Sequence, residues 1–251
     1  MKKNLISIIT PTWNRAGTFL PRTIESVQRQ FEDSVEHEHI IIDNASTDDT
    51  KKVVLAYAKK DPRIKYIRNS KNLKAAKALN IGFKASKGSL IYPLDDDDVL
   101  LPHTLENFYE AFSKAPNVDW MYGVPLFISG DDVVNFKARW PGKTYSTPQQ
   151  MFWQMLRMNF VCNGTVVMRR SAVSKVKGWD STLASQDYVM WLKLAHTGLK
   201  HKLLRQHVVF YREHDKRESN KNSVNGLWAE VRQYLLKKFK TTEEEILAKT
   251  T

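Results

Sequence analysis

Four consecutive aspartates, Asp95 to Asp98, stand between two apolar runs in IYPLDDDDVLLP, residues 91–102. Carboxylates packed this closely repel one another and are seldom buried without partners. Alternate members of the run, Asp95 and Asp97, can turn their oxygens toward one region, and such hard ligands suit Mg2+ or Mn2+. Ions of that type keep coordination positions for phosphate oxygens. A calcium loop of the EF-hand kind is excluded. With Asp95 at position one, Leu100 replaces the required glycine, and Val99 and Pro102 break the loop. A solvated acidic turn is the reading that needs no function.

Charge along the chain bears on the choice. The formal net charge is +12, but residues 51 to 87 hold twelve Lys/Arg against one acid, Asp61. Residues 88 to 136 reverse this, with nine acids and one base, Lys114. Residues 193 to 240 are basic again, with twelve Lys/Arg against four acids. An acidic centre between basic segments suits a cation that faces an anionic ligand such as a nucleoside diphosphate. No GxGxxG follows the first strand and no GxxxxGK[ST] occurs, so dinucleotide and P-loop sites are disfavoured.

The elements that would position these groups alternate. Apolar, β-branched runs at 5–10, 39–43, 64–67, 89–94 and 119–124 read as buried strands. Helical spacing falls between them: Leu20, Ile24, Val27 and Phe31; Val53, Val54 and Tyr57 after caps at Ser46 or Thr47; residues 74–86; and Leu105, Phe108, Tyr109 and Phe112 after Pro102. The second half predicts helices over 147–158, 185–198 and 227–240, and strands within 163–170 and 201–214. Alternation of this kind implies an α/β fold with a mostly parallel sheet, whose ligands gather at the carboxyl ends of the strands. Thr10-Pro11, Asp43 and the aspartate run all fall there.

SIITPTWNRAGTFL, IIIDNASTDDT, KNLKAAKALNIG, LDDDDVLLP, GWDSTLASQDYVMWLKLAHTG and FYREHDKRESN, in this order, resemble the motifs of family 2 glycosyltransferases. The resemblance runs from about Ile6 to about Ser219. It implies a GT-A fold: one Rossmann-like sheet flanked by helices, with a smaller acceptor-side region and a C-terminal helix. It implies a nucleotide-sugar half over 1–125, an acceptor half over 126–225, and a basic amphipathic helix and tail over 226–251. The activity implied is metal-dependent transfer of a sugar, with inversion, from a nucleotide-sugar (usually a UDP-sugar) to an acceptor hydroxyl.

The resemblance also assigns residues. Thr10, Pro11 and Thr12 would line the nucleoside pocket, with Asp43 on the base and Asn72 on the donor surface. Asp95 and Asp97 look like the D-x-D pair that holds Mn2+ or Mg2+, with Asp97 the direct ligand and His214 approaching the metal or diphosphate. Asp96 and Asp98 would contact the donor, and Asp187 would be the catalytic base. Single displacement at an anomeric carbon needs such a base and needs charge neutralised on the leaving diphosphate. Three positions depart from the family pattern: Gln186 for glutamate, Lys74 for glycine and Leu79 for arginine. The last two fall where the diphosphate and ribose are expected. Trp179, Trp191 and Trp153 read as core residues, with a sugar-stacking role at the acceptor cleft as the alternative for Trp179.

Acceptors consistent with this reading are a glycan, a lipid-linked saccharide or an anionic glycopolymer. A hydroxylated DNA base, or a non-catalytic nucleotide- or polyanion-binding role on the same scaffold, is the alternative. The single cysteine, Cys162, and a start too short in apolar residues for a signal peptide imply the cytoplasm. In 227–240, Leu227, Trp228, Val231, Leu235 and Phe239 share a face against Arg232, Lys237, Lys238 and Lys240. That helix would either pack on the domain or touch the inner face of an anionic membrane.

Overall fold

The apolar runs read as strands all enter one mixed sheet. The computed structural model describes residues 2–30, 35–135, 144–182, 185–214 and 224–250. The first half runs β1 (Lys2–Thr12), α1 (Leu20–Gln28), β2 (Glu36–Asp43), α2 (Thr50–Lys60), β3 (Ile64–Arg68), α3 (Lys74–Ala85) and β4 (Gly88–Pro93). A two-residue strand β5 (Val99–Leu100) follows the aspartates, then α4 (Thr104–Lys114) and β6 (Trp120–Ser129). The rest comprises α5 (Pro148–Arg157), β7 (Val166–Arg169), α6 (Arg170–Lys175), α7 (Gln186–His196), β8 (His201–Glu213), α8 (Val224–Phe239) and α9 (Glu243–Thr250).

Strand order is β3-β2-β1-β4-β7-β6-β8-β5. β3, β2, β1 and β4 are parallel. β7 inserts antiparallel between β4 and β6, and β8 runs parallel to β6. Reversing twice brings β6 and β8 back into the direction of β4. The carboxyl ends of β1, β2, β3, β4, β6 and β8 therefore share one edge, and the aspartate run lies on it.

Period-2 alternation divides β1 between two cores. Ile6 and Ile8 pack with Leu90, Tyr92, Phe108 and Val27, whereas Ile9 packs with Ile40, Ile42 and the residues of α3, α5 and α7. Helix α3 closes on the sheet at Gly82, where a Cβ would sit 2.3 Å from Ile9 Cγ2. Only glycine permits that approach.

Several boundaries differ from the expected ones. Ser46 and Thr47 do not start α2. The Asp48 carboxylate accepts from the Thr50 backbone N–H and hydroxyl and from the Ala16 N–H, so the helix begins at Thr50. Ser46 instead accepts from the Asn14 N–H. Helix α4 starts at Thr104, after a left-handed His103, rather than at Pro102. Phe31 lies outside the described residues.

The C-terminal helices belong to the domain. Val231 and Leu235 of α8 are each 1% exposed, and Phe239 packs on Phe152 and His196. Burying each aliphatic contributes roughly 1.5–3 kcal/mol. The described part of the apolar face expected to touch a membrane is thus covered by protein. Among the described residues no helix is long and apolar enough to cross a bilayer.

Asp180 fastens α8 from outside the core, accepting from Tyr234 Oη, Lys238 Nζ and Thr182 Oγ1. Burial alone would raise its carboxyl, but these donors hold it below the ordinary carboxylate range. A depressed folded pKa gives stability that is complete above the unfolded value of about 3.9 and disappears as pH falls through the folded value. The melting temperature is therefore expected to fall on acidification below about pH 4, and Asp180→Asn should reduce that dependence. Thermal melts from neutral to acidic pH, followed by circular dichroism, check this.

Candidate active site

The aspartate run is brought to the carboxyl edge by β4 and held there by β8. The oxygens of Asp95, Asp97 and Asp98 can lie within 4.8 Å of one another, with Asp97 and Asp98 buried and Asp95 half-buried. His214, the residue after β8, places Nε2 2.9 Å from Asp97 Oδ2 and packs on Phe19 in a tilted ring contact with centroids 4.6 Å apart. The structure thus joins two residues 117 positions apart, which the family resemblance places about the same metal or diphosphate. Asn163 Nδ2 donates to Asp95 Oδ1 at 2.8 Å. Gly164 follows with φ +75°, and a Cβ there would sit 3.0 Å from Asp98 Oδ2. A side chain at 164 would combine backbone strain with a contact against the carboxylate.

Asp96 turns the other way, 3.6 Å from Arg15 Nε and facing the Thr12 hydroxyl. Burial first, then the Asp97 charge, pushes its carboxyl up to about 7 against the pull of Thr12 and Arg15. Carboxylate oxygens with one imidazole, in this crowding, fit a hard divalent cation of the Mn2+ or Mg2+ class.

Arg212 organises the cluster from beneath. Its side chain is fully buried, yet it carries a charge. Nε donates to the Asp97 carbonyl at 2.8 Å, and Nη1 donates to the carbonyls of Ser129 and Gly130 and pairs with Asp132 Oδ1 at 2.5 Å. The guanidinium lies 4.8 Å from the Phe19 ring. Its backbone N–H donates to Asp98 Oδ1. One residue of β8 so fixes both the aspartate loop and the end of β6.

At the other side of the same edge, Thr12, Asp43 and Arg68 stand in register across β1, β2 and β3. Asp43 is fully buried. It accepts from Tyr66 Oη, from Arg68 Nη1 at 2.7 Å and from the Ser46 N–H at 2.7 Å. Arg68, 39% exposed at its side chain, and Trp13, 50% exposed, face outward here. The loops after β1 and β2 are laced together, Asn14 Oδ1 accepting from the Thr47 N–H at 2.8 Å. Both loops hold non-glycine residues in the left-handed region, Asn14 at φ 54° and Ala45 at φ 60°. Each costs roughly 1–2 kcal/mol, which is common where geometry serves a site.

Other expected residues are placed as follows. Thr10 is fully buried, its hydroxyl 2.9 Å from His39 Nε2, so its side chain lies under the pocket wall rather than on it. Pro11 is half-buried on β1. Asn72 is exposed and accepts from the Lys74 N–H in the turn that starts α3. Lys74 has φ 66°, which explains a glycine preference there by backbone conformation. Leu79 is 3% exposed in the core, so it does not face the diphosphate surface on which the missing charge was expected. Asp187 stands half-buried in the first turn of α7. Trp179 is 4% exposed against Phe83, the core placement expected and not the sugar-stacking alternative, and its backbone is gripped by both amide atoms of Asn80.

Sequence reading missed Arg212, Asn163, Arg68, Arg15 and Trp13. For Arg212 the only signal was an arginine two positions before His214. Its value depends on burial that no local pattern reports.

Comparison with known proteins adds to this geometry. A family model described as glycosyl transferase family 2 matches residues 7–177. An Escherichia coli protein named UDP-Glc:alpha-D-GlcNAc-diphosphoundecaprenol beta-1,3-glucosyltransferase is 30% identical over 210 residues, covering 84% of this chain and 78% of its own. The crystal structure of S. aureus TarS 1–349 in complex with UDP-GlcNAc superposes with a TM-score of 0.76 at 16% identity, over 98% of this chain and 70% of that one. The mannosyltransferase from Pyrobaculum calidifontis in complex with GDP-Man and Mn2+ gives 0.64 at 18% identity, over 91% of this chain and 60% of that one. The structural likenesses establish the fold, which is that of GT-A glycosyltransferases.

Proposed function

The chain belongs to glycosyl transferase family 2, and from that premise we propose a metal-dependent, inverting transfer of a sugar from a UDP-sugar to an acceptor hydroxyl. The observation that carries this is the carboxylate triad on the shared strand edge, joined by His214. Residues 1–125 serve the donor and residues 126–225 the acceptor, with 226–251 bracing the second half.

Asp97, Asp95 and His214 would hold Mn2+ or Mg2+, which when bound neutralises the diphosphate oxygens of the donor and leaving group. Asp96 and Asp98 complete the acidic wall on the donor side. Thr12 and Pro11 border the nucleoside pocket from β1, with Thr10 supporting them from within. Asp43 acts on the base partly through the Arg68 and Tyr66 side chains it holds, and Trp13 offers an aromatic face on the rim. Asn72 shapes the turn below that rim. Asp187 takes the acceptor proton as the hydroxyl attacks. No carboxylate nucleophile is needed, since a single displacement inverts the centre.

The UDP assignment draws on the donors named for the glucosyltransferase relative and the TarS complex. The same relative's name supports a lipid-linked saccharide as acceptor.

Hydrolysis of a panel of UDP-, GDP-, CMP- and dTDP-sugars with Mn2+ tests the donor reading. Slow metal-dependent release of UDP from one sugar, absent in Asp97→Ala, is the expected result. Release only from a GDP-sugar would overturn the donor class, and equal rates without metal would overturn the metal role.

A further inference from the structure

In α8 the described apolar residues Val231 and Leu235 are buried in the domain, and the structure shows a different exposed face that the sequence did not single out. We propose that the outward stripe of α2 is a docking surface for an anionic lipid bilayer. The exposed positions of α2 are Lys51, Lys52, Leu55, Ala56, Lys59 and Lys60. At this spacing they form one continuous stripe along the helix. Leu55, 44% exposed, sits at its centre with a lysine three and four residues before it and another four residues after.

Several cations of the molecule are committed to carboxylates, and the α2 lysines, among the described residues, are not. Arg15, Arg22, Arg29, Lys114, Arg212, Arg232 and Lys238 all have carboxylate partners. In residues 51–87, Arg63, Lys65 and Arg68 are likewise committed, to Asp61, Glu38 and Asp43. Lys51, Lys52, Lys59 and Lys60 are exposed and form no ion pair with a described residue. The same is true of Lys71, Lys74, Lys77, Lys84 and Lys87 on and beside α3, which packs over β1 and β2 on the opposite face of the sheet from α2. Their summed field reaches about a Debye length, roughly 8–10 Å, before salt screens it. It would draw an anionic surface toward this edge.

The chemistry of the stripe favours a bilayer over a soluble polyanion. Lysine is a hydrated point charge that suits a diffuse layer of headgroups, whereas the arginine forks beside α2, Arg63 and Arg68, are already held by Asp61 and Asp43. Nucleic acid binding without sequence preference uses exposed aromatic platforms. The aromatics on and next to α2, Tyr57 and Tyr66, are half-buried with their hydroxyls on Glu25 and Asp43, and the exposed Trp13 belongs to the nucleotide rim rather than to the stripe. Leu55 and Ala56 have no partner in a soluble polymer but find one in the acyl boundary. Because Asp49 and Thr50 begin α2 directly after the Asp43 loop, docking here holds the donor end of the sheet near the membrane face.

The test is cosedimentation of the full chain with phosphatidylcholine vesicles, with and without phosphatidylglycerol, at low and high salt. Wild type should bind only the anionic vesicles, and salt should release it. The triple variant Lys51→Glu, Lys52→Glu, Lys59→Glu should lose roughly a hundredfold or more in partitioning, at about fivefold per lysine. Leu55→Ser should lose severalfold, and Lys114→Glu on α4 should behave as wild type. Thermal melts confirm that each variant is folded. If charge reversal unfolds the triple variant, its glutamine counterpart replaces it and should still lose more than tenfold.

Failure of wild type to bind anionic vesicles would overturn the assignment, as would binding that survives the α2 changes or falls equally in Lys114→Glu. Binding to duplex DNA or polyphosphate under salt conditions that abolish vesicle binding would transfer the surface to a soluble polyanion and equally overturn it. Vesicle binding needs neither donor nor acceptor, so its failure leaves the transferase reading intact.

Discussion

Asp187→Asn should lower kcat by about 10²–10⁴-fold while nucleotide affinity stays at the wild-type level. Asparagine keeps the shape of the side chain and its place in the first turn of α7, but it cannot accept the acceptor proton. Inversion proceeds only as that proton leaves, so the loss falls on the chemical step. Steady-state kinetics with the donor found by hydrolysis, alongside equilibrium binding of UDP, separate the two effects. An unchanged kcat would remove Asp187 from catalysis. A parallel loss of UDP affinity would place it at the donor instead.

Arg212→Met should destabilise the protein by about 3–5 kcal/mol, the cost of taking one partner from a buried charged network. Methionine fills a similar volume but leaves the carbonyls of Asp97, Ser129 and Gly130 without the donors that Arg212 supplies. Each buried acceptor left this way costs roughly 1–3 kcal/mol, and Asp132 also loses its 2.5 Å partner. Against a typical domain stability of about 5–15 kcal/mol the loss is large. Lysine at 212 should recover only part of it, since one ammonium cannot span Asp97 and the β6 end together. Urea denaturation gives the difference, as a lower midpoint at unchanged slope. A loss below about 1 kcal/mol would mean that the network contributes little beyond packing.

The strands were legible because buried parallel strands read as unbroken β-branched runs, as ISII and HIII do here. The aspartates at the end of β4 were legible because like charges next to an apolar run demand an explanation. What stayed hidden depends on long-range pairing. β5 is two residues long and exists because Val99 and Leu100 pair with Phe210 and Val209. The true start of α2 depends on Asp48 reaching back to Ala16, which a local capping rule does not contain. Leu79 looked like a charge missing from the donor surface because the family pattern marks that position. Its burial against Ile9 and Ile42 shows a core position instead. Likewise, the apolar face of α8 is the same pattern whether it meets a bilayer or a protein. Only the packing of Val231 and Leu235 into the core distinguishes the two.

The most direct test of the central claim is equilibrium titration of UDP, with and without Mn2+, on wild type and Asp97→Asn. If Asp97, Asp95 and His214 hold a cation that meets the diphosphate, Mn2+ should tighten UDP binding to wild type by roughly tenfold or more, about 1.4 kcal/mol. The asparagine variant should show no such gain. Equal UDP affinity in wild type with and without metal, or a metal-dependent gain that persists in Asp97→Asn, would contradict the account.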